Sequence, residues 1–528
     1  MKASDLMVRC LEAEGVEYIF GIPGEENIDF MDSLTRSSIQ FVLARHEQGA
    51  AFMADMYGRL TGKPGVCLAT LGPGATNLIT GVANAHLDRS PLIAITGQAD
   101  LTRLHKESHQ HIDTIQLFKG ITKYNQQILS AYTIPEIIRK AFDLATNESP
   151  GAVHIQLPVD VARHEVISSP LLIGKQAKIK PDSSSLQAAA KLIMEAKRPI
   201  VLAGNGVIRN RAWEEVRKLV EKANLPMVNS FMAKGILPFD HPRNLFTIGG
   251  KPNTDTLRPL IEADLVIAIG FDLVEYDPVL WNKEQSRKVL NIHTIQAETD
   301  AHFPVELDLV GDLQDTLKAL LELVDQRPEP IGYNQIRASR VEELQTIPSS
   351  EQELPRKVMW TLSEKLSKDS IVISDVGLHK VWVSRWYQPK APGQTIIYNG
   401  LASMGASLPG ALASRLAKPN SPVIVVSGDG GFLMNSQELE TAKRLGLAFT
   451  IIIFNNQSYG LIEKHQRAAN LAVTQIAFTN PDFNLFAQSF GIAYRCAKNA
   501  EEFSQVLTEA LESGELNLLE VVLMGEEV

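Results

Sequence analysis

At 528 residues the chain is long enough for about three domains of ordinary size. Its 61 acidic residues outnumber 51 basic ones, for a net charge of -10 with no long run of either sign, which argues against nucleic acid or an anionic membrane as principal partner. Cys10, Cys67 and Cys496 lack metal-ligand spacing and read as reduced core thiols. With no basic-then-apolar leader and no bilayer-length apolar run, the expectation is a cytoplasmic, non-membrane protein.

Phe41-Val42-Leu43-Ala44 is the first informative strand, and a helix follows it from about Glu47. Positions 47, 51, 54 and 58 share one helical face, and the last three are Ala51, Ala54 and Gly58. A carboxylate heading a stripe of small residues faces packing rather than water, so Glu47 reads as a buried, functional acid. The competing reading is a glutamate favoured by the helix dipole at an exposed start. Next come a strand over Gly65 to Thr70, the glycine turn Leu71-Gly72-Pro73-Gly74, a helix-like stretch, and a strand over Pro91 to Gly97.

Pro- and Ser-rich stretches divide the chain into domains at 1–166, 186–325 and 356–528, with linkers at 167–185 and 326–355. The middle third carries strands over Pro199 to Ala203 and Asp264 to Gly270. Its Gly204-x-Gly206 is a fragment of a dinucleotide fingerprint, but Asn210 stands where the third glycine would fall, so a plain Rossmann-like structural domain is the favoured reading over a nicotinamide site.

The last third holds the sharpest motif. Pro422 to Val426 is a buried-strand run that ends in Gly428-Asp429-Gly430-Gly431 and opens a helix. A second run, Phe449 to Phe454, ends in Asn455-Asn456. In a parallel sheet these strand ends lie side by side, bringing Asp429 and Asn456 to one crevice. A carboxylate and a carboxamide are hard oxygen ligands suited to Mg2+ shared with phosphate oxygens, and the glycine turn offers backbone N–H groups to those phosphates. The same strand–turn–helix–strand order recurs at 65 to 97 without the aspartate. Two copies of one domain, one of them equipped for diphosphate, imply a cofactor gripped at both ends. The fold class is therefore α/β, with three doubly wound parallel-sheet domains.

These residues together resemble the thiamine diphosphate-dependent enzyme superfamily. The Gly428-Asp429-Gly430 motif with Asn455-Asn456 is similar to its diphosphate motif, and Phe20-Gly21-Ile22-Pro23-Gly24 with Arg45-His46-Glu47 is similar to its pyrimidine-binding half. The resemblance spans the whole chain and points to the acetolactate synthases. Val274-Glu275-Tyr276-Asp277-Pro278 with Trp281-Asn282, and His109-Gln110 with Asp113 and Thr122-Lys123-Tyr124, resemble the catabolic, flavin-independent branch. The resemblance implies that Asp429, Asn456 and the Ser458 carbonyl hold Mg2+, and that Gly428, Gly430, Gly431 and His379 meet the diphosphate. It implies that Glu47 hydrogen-bonds the aminopyrimidine, that Met404 bends the cofactor, and that the Ala402 carbonyl accepts from its amine. Gln110 and the Gly24 backbone would line the substrate side.

Several positions depart from the biosynthetic members. His109 replaces a phenylalanine, His465 a tryptophan that helps select 2-ketobutyrate, and Leu378 a glutamine. Tyr459 to Lys464 also differs from the catabolic run. Phe271-Asp272-Leu273-Val274 stands where flavin-binding members carry an Asp-Arg pair, so FAD is weighed as a cofactor and disfavoured. The implied activity decarboxylates pyruvate and condenses it with a second 2-keto acid to give 2-acetolactate, in a homodimer or homotetramer with active sites between subunits. The alternatives are another 2-keto acid decarboxylase or carboligase, and a non-catalytic thiamine diphosphate-binding protein.

Overall fold

The computed structural model describes residues 1–174, 177–249, 256–329, 331–346 and 353–523. Among these residues, three six-stranded sheets follow one another along the chain. The first contains β1 (Tyr18–Gly21), β2 (Gln40–Leu43), β3 (Gly65–Ala69), β4 (Leu92–Gln98), β5 (Tyr124–Gln127) and β6 (Ala152–Pro158), in the order β2-β1-β3-β4-β6-β5. The second contains β7 (Pro199–Ala203), β8 (Met227–Asn229), β9 (Asn244–Thr247), β10 (Leu265–Ile269), β11 (Lys288–His293) and β12 (Val305–Val310), in the order β12-β11-β10-β7-β8-β9. The third contains β13 (Ile371–Ser374), β14 (Thr395–Ile397), β15 (Val423–Gly428), β16 (Thr450–Asn455), β17 (Ala493–Ala497) and β18 (Asn517–Val522), in the order β14-β13-β15-β16-β18-β17.

Among the described residues, all pairs of these strands are parallel. Helices cover both faces of such sheets, which is why β3, β4, β15 and β16 read as unbroken apolar runs rather than alternating ones. The first and third sheets have the same strand order once their strands are numbered within each sheet. The echo between residues 65–97 and 422–456 is thus a duplicated topology. In each copy the order reverses between the first and third strands, so the ligand crevice of an open α/β sheet falls beyond β1 and β3 in one and beyond β13 and β15 in the other.

The small-residue stripe after Glu47 packs on all sides. A Cβ placed on Gly81 would sit 2.4 Å from the Ala51 Cβ, so the Glu47–Thr61 and Pro73–Leu87 helices touch backbone to backbone. The other flank of the Glu47–Thr61 helix joins the Ser407–Ala417 helix in one hydrophobic core shared by the first and third sheets. Arg59 is fixed by Asp55 at 2.8 Å, and its second partner Asp88 accepts from the Gly400 N–H at 2.6 Å. The first sheet's helices therefore hold the loop that leads to Met404.

Linker expectations meet local chemistry. The Ser183–Glu195 helix starts inside the first expected linker, because Asp182 caps it by accepting from the Ser185 N–H at 2.9 Å. The second expected linker contains the Tyr333–Gln345 helix, and the Leu354–Lys365 helix begins within it; residues 330 and 347–352 of that linker lie outside the described residues. Cys10 and Cys67 are buried, whereas Cys496 is half-buried on β17, a strand at the sheet edge and not in the core. No helix among the described residues is long and apolar enough to cross a membrane.

Candidate active site

Beyond the C-terminal ends of the third sheet lies a cleft. Gly428 on β15 is in register with Phe454 on β16, so Asp429 and Asn456 follow from adjacent strands, as their spacing predicts. Both line the cleft, with Gly428, Gly430, Gly431, Ser458, His379, Leu378 and Met404. Asp429 is 1% exposed, and burial raises its carboxyl above the ordinary aspartate value. Its Oδ2 accepts from the Asn456 N–H at 3.2 Å, the Gln457 N–H at 2.7 Å and Asn480 Nδ2 at 2.8 Å. Its Oδ1 accepts from the Gly430 N–H at 2.8 Å. Gln457, between Asn456 and Ser458, takes a positive φ of 53°, a strained non-glycine conformation of the kind that collects at functional sites.

Among the described residues, two polar atoms in this cleft are buried without a partner: His379 Nε2 and Ser458 Oγ. Burial lowers His379 to about 4, so the imidazole is neutral at physiological pH. A Cβ on Gly430 would lie 2.7 Å from the Tyr459 ring, filling the cradle. Orphaned polar atoms, a glycine cradle and a hard carboxylate suit a diphosphate with a divalent cation. Among the described residues no three His, Cys, Asp or Glu side chains converge as a metal site, so a cation here relies on Asp429, carboxamide and carbonyl oxygens, and its ligand.

Asp375, buried just beyond β13, ties the cleft to the Met404 loop. Its carboxylate accepts from the Gly405 N–H at 2.9 Å, the Ser407 N–H at 3.2 Å and Ser407 Oγ at 2.6 Å. Ala402 in the same loop has φ 54°.

A second cluster lies at the first sheet's crevice. Glu47 is 9% exposed and its Oε2 accepts from Asn77 Nδ2 at 2.9 Å. Gly24 follows β1 and packs on Thr70, and a Cβ on Gly72 would lie 2.5 Å from the Gln110 carbonyl oxygen. Gln110, at φ 56°, and His109 are exposed. The chain thus brings Glu47, Gly24 and Gln110 to one crevice, and Asp429, Asn456, Ser458, His379 and Met404 to another. Among the described residues, those lining the second come from 376–523.

Comparison with known proteins decides the family. "Thiamine pyrophosphate enzyme, N-terminal TPP binding domain" matches residues 1–117, the central domain of the same enzymes matches 186–320, and the C-terminal TPP binding domain matches 375–521. The probable acetolactate synthase large subunit of Methanocaldococcus jannaschii is 36% identical over 99% of this chain and 92% of that protein. Acetolactate synthase of Bacillus subtilis is 33% identical over 97% of the chain and 91% of its own length, and the Lactococcus lactis large subunit is 33% identical over 99% and 93%. The chain belongs to the acetolactate synthase family. It is a thiamine diphosphate-dependent enzyme of that kind.

Several motif residues of this acetolactate synthase-family chain are structural. Trp281 is buried against Phe303, and Asn282 donates to the carbonyls of Arg287 at 3.2 Å and His302 at 2.9 Å. Lys123 donates to two carbonyls, at Asn147 and Ser149, both at 2.6 Å. His465 is exposed on the Gly460–Ala468 helix. In the central sheet, Gly204 permits contact with the Gly270–Phe271 backbone, and Glu275 accepts from the Asn205 N–H at 2.9 Å. The Glu275 carboxylate therefore stands where a dinucleotide diphosphate on that turn would sit, and the Gly204-x-Gly206 turn does not fit one.

Sequence reasoning missed Asn77, Asn480 and Asp375 as site-supporting residues. Asn77 had a signal: at helical spacing it lies between Gly74 and Gly81, on the face that meets Glu47. Asn480 had none, being 51 residues from Asp429 and in no strand whose register would place it.

Proposed function

We propose that this enzyme decarboxylates pyruvate and condenses the product with a second 2-keto acid to give 2-acetolactate, using thiamine diphosphate and Mg2+. The observation that carries the reading is the pair of crevices: an anion-and-cation cradle at the third sheet's switch point and a buried carboxylate at the first's. Bound thiamine diphosphate supplies a nucleophilic ring carbon and an electron sink for decarboxylation.

The chain's own residues do the rest. Asp429, Asn456 and the Ser458 carbonyl hold the cation, while the Gly428, Gly430 and Gly431 backbone and neutral His379 meet the diphosphate. Glu47, held by Asn77, would hydrogen-bond the pyrimidine ring and hold the proton it shares with that ring on its carboxylate. Met404, on a loop pinned by Asp375 and Asp88, would pack against the cofactor, and the Ala402 carbonyl would accept from its amine. Gln110 and the Gly24 backbone orient the keto acid. Orientation and proton placement of this kind account for large rate factors without new covalent chemistry from the protein. That the described lining of the diphosphate cleft comes from 376–523 supports a site completed by the Glu47 half of a second copy, in a homodimer or homotetramer.

Incubating the purified protein with pyruvate, thiamine diphosphate and Mg2+ and identifying the product tests this. Acetolactate is expected. Acetaldehyde alone would replace the reading with a simple 2-keto acid decarboxylase, and no product would reject both.

A further inference from the structure

The helix that carries Glu47 is gripped from outside its own domain. Glu438, fully buried on the Glu438–Arg444 helix, lies just past the Gly428-Asp429-Gly430 turn. Its Oε1 accepts from the Arg45 N–H at 3.0 Å and the His46 N–H at 3.1 Å. Thr441 Oγ1 donates to Oε2 at 2.7 Å, which fixes the carboxylate plane. From the same helix Arg444 donates to the Leu43 carbonyl, the last residue of β2. A Cβ on Gly49 would lie 2.6 Å from Glu438 Oε1, so only glycine lets the carboxylate come this close. Asn435 adds a donor to Gln48 Oε1 at 3.2 Å and another to the Gly405 carbonyl at 2.9 Å.

The first N–H groups at a helix start have no partner inside the helix, so whatever accepts from them sets where the first turn begins. His46 Nδ1 caps from within by accepting from the Gln48 N–H at 3.1 Å. The two N–H groups before it, at Arg45 and His46, are held by Glu438. Glu47 is the next residue.

We infer that Glu438 is a positioning residue for Glu47: its carboxylate, reaching across from the diphosphate domain, sets the start of the Glu47 helix and so the aim of the Glu47 side chain. This rests on the reading of Glu47 as the cofactor's proton partner. A mere staple between domains is the competing role, and it predicts loss of thermal stability with no change in Glu47's chemistry. A displacement on the order of 1 Å at such a group costs up to about 100-fold in rate.

Three variants separate reach from charge. E438D keeps the charge and withdraws the acceptor by one methylene; E438Q keeps the reach and removes the charge; E438A removes both. Two readouts apply: backbone amide exchange of residues 43–50 in the cofactor-free protein, and hydrogen–deuterium exchange at C2 of bound thiamine diphosphate, quenched in acid and read by proton NMR. E438D and E438A should lose amide protection at Arg45 and His46 and slow C2 exchange by about 10- to 100-fold. E438Q should keep both near wild type, and cofactor affinity should change little throughout. Gly49→Ala, which crowds the carboxylate without altering it, should slow C2 exchange too, and it carries the test should E438A not fold. Wild-type C2 exchange in E438D and G49A overturns the proposal, as does an E438Q loss equal to that of E438A. Wild-type enzyme that does not accelerate C2 exchange rejects the cofactor role of Glu47, and this proposal with it.

Discussion

Asn480 donates to Asp429 Oδ2 at 2.8 Å and to Asn455 Oδ1, also at 2.8 Å. One carboxamide thus links the carboxylate after β15 to the asparagine that ends β16. Asn455 in turn donates to Glu520 Oε1 at 2.6 Å, and Tyr494 donates to Glu520 Oε2 at 2.6 Å. With Oδ2 of Asp429 saturated by three donors, its Oδ1 is the oxygen with the fewest protein partners.

Asn480→Ala should therefore weaken cation binding without dismantling the sheet. Removing a partner that orients a metal-binding carboxylate typically costs about 10- to 100-fold in metal affinity. The expected result is a rise of that size in the Mg2+ concentration giving half-maximal activity, with most of the activity recovered at saturation. An unchanged Mg2+ requirement would contradict the role given to Asn480.

Glu47→Gln should lower turnover by about 100- to 10,000-fold, the range for loss of a positioned acid–base group. The amide still accepts from Asn77, so the local packing persists. Thiamine diphosphate binding, followed by calorimetry in Mg2+, should remain within a few-fold of wild type.

Lys234 supplies a pH test on stability. It is 2% exposed, donating to the Ser384 carbonyl at 2.7 Å and to Thr247 Oγ1 at 3.2 Å, and burial lowers it to about 7, with Arg340 adding to the shift. Its ordinary value is 10.5, so between about 7 and 10.5 the folded state binds fewer protons than the unfolded one. The lysine's contribution to stability is therefore present above 10.5 and lost as pH falls towards 7, with a slope of up to about 1.4 kcal/mol per pH unit. Lys234→Met should flatten the rise of Tm between pH 7 and 10 and gain on wild type at the low end. Lys380, lowered to about 8 by burial, acts with the same sign and stays in the variant, so the slope falls rather than vanishes. Parallel curves for the two proteins would contradict this.

Much of the architecture was legible because parallel sheets bury both faces of each strand. Val423 to Val426 and Thr450 to Phe454 could be nothing but interior strands, and the Gly-Asp-Gly and Asn-Asn that end them had to be neighbours. The stripe at Ala51, Ala54 and Gly58 was legible for a similar reason: it announces close helix packing, and Gly81 meets it. The Ser183-Ser184-Ser185 tract misled, since serines after Asp182 build a helix N-terminus as readily as a flexible linker. Cys496 misled because an apolar-looking segment does not say which strand ends at the sheet edge. Glu438 and Asp375 were visible as residues but not as partners, because their work spans hundreds of residues or a loop whose path only the fold fixes.

The proposed carboligation site is divided between two copies of the chain. Its most direct test mixes two inactive variants, Glu47→Gln and Asp429→Asn, by joint refolding at equal concentration, and measures acetolactate formed from pyruvate. Each variant alone should be nearly inactive. In a mixed pair one site combines the intact Glu47 of one chain with the intact Asp429 of the other, so random pairing should restore about a quarter of wild-type activity. A mixture no more active than the separate variants would contradict the divided site, because a site built within one chain always contains one of the two lesions.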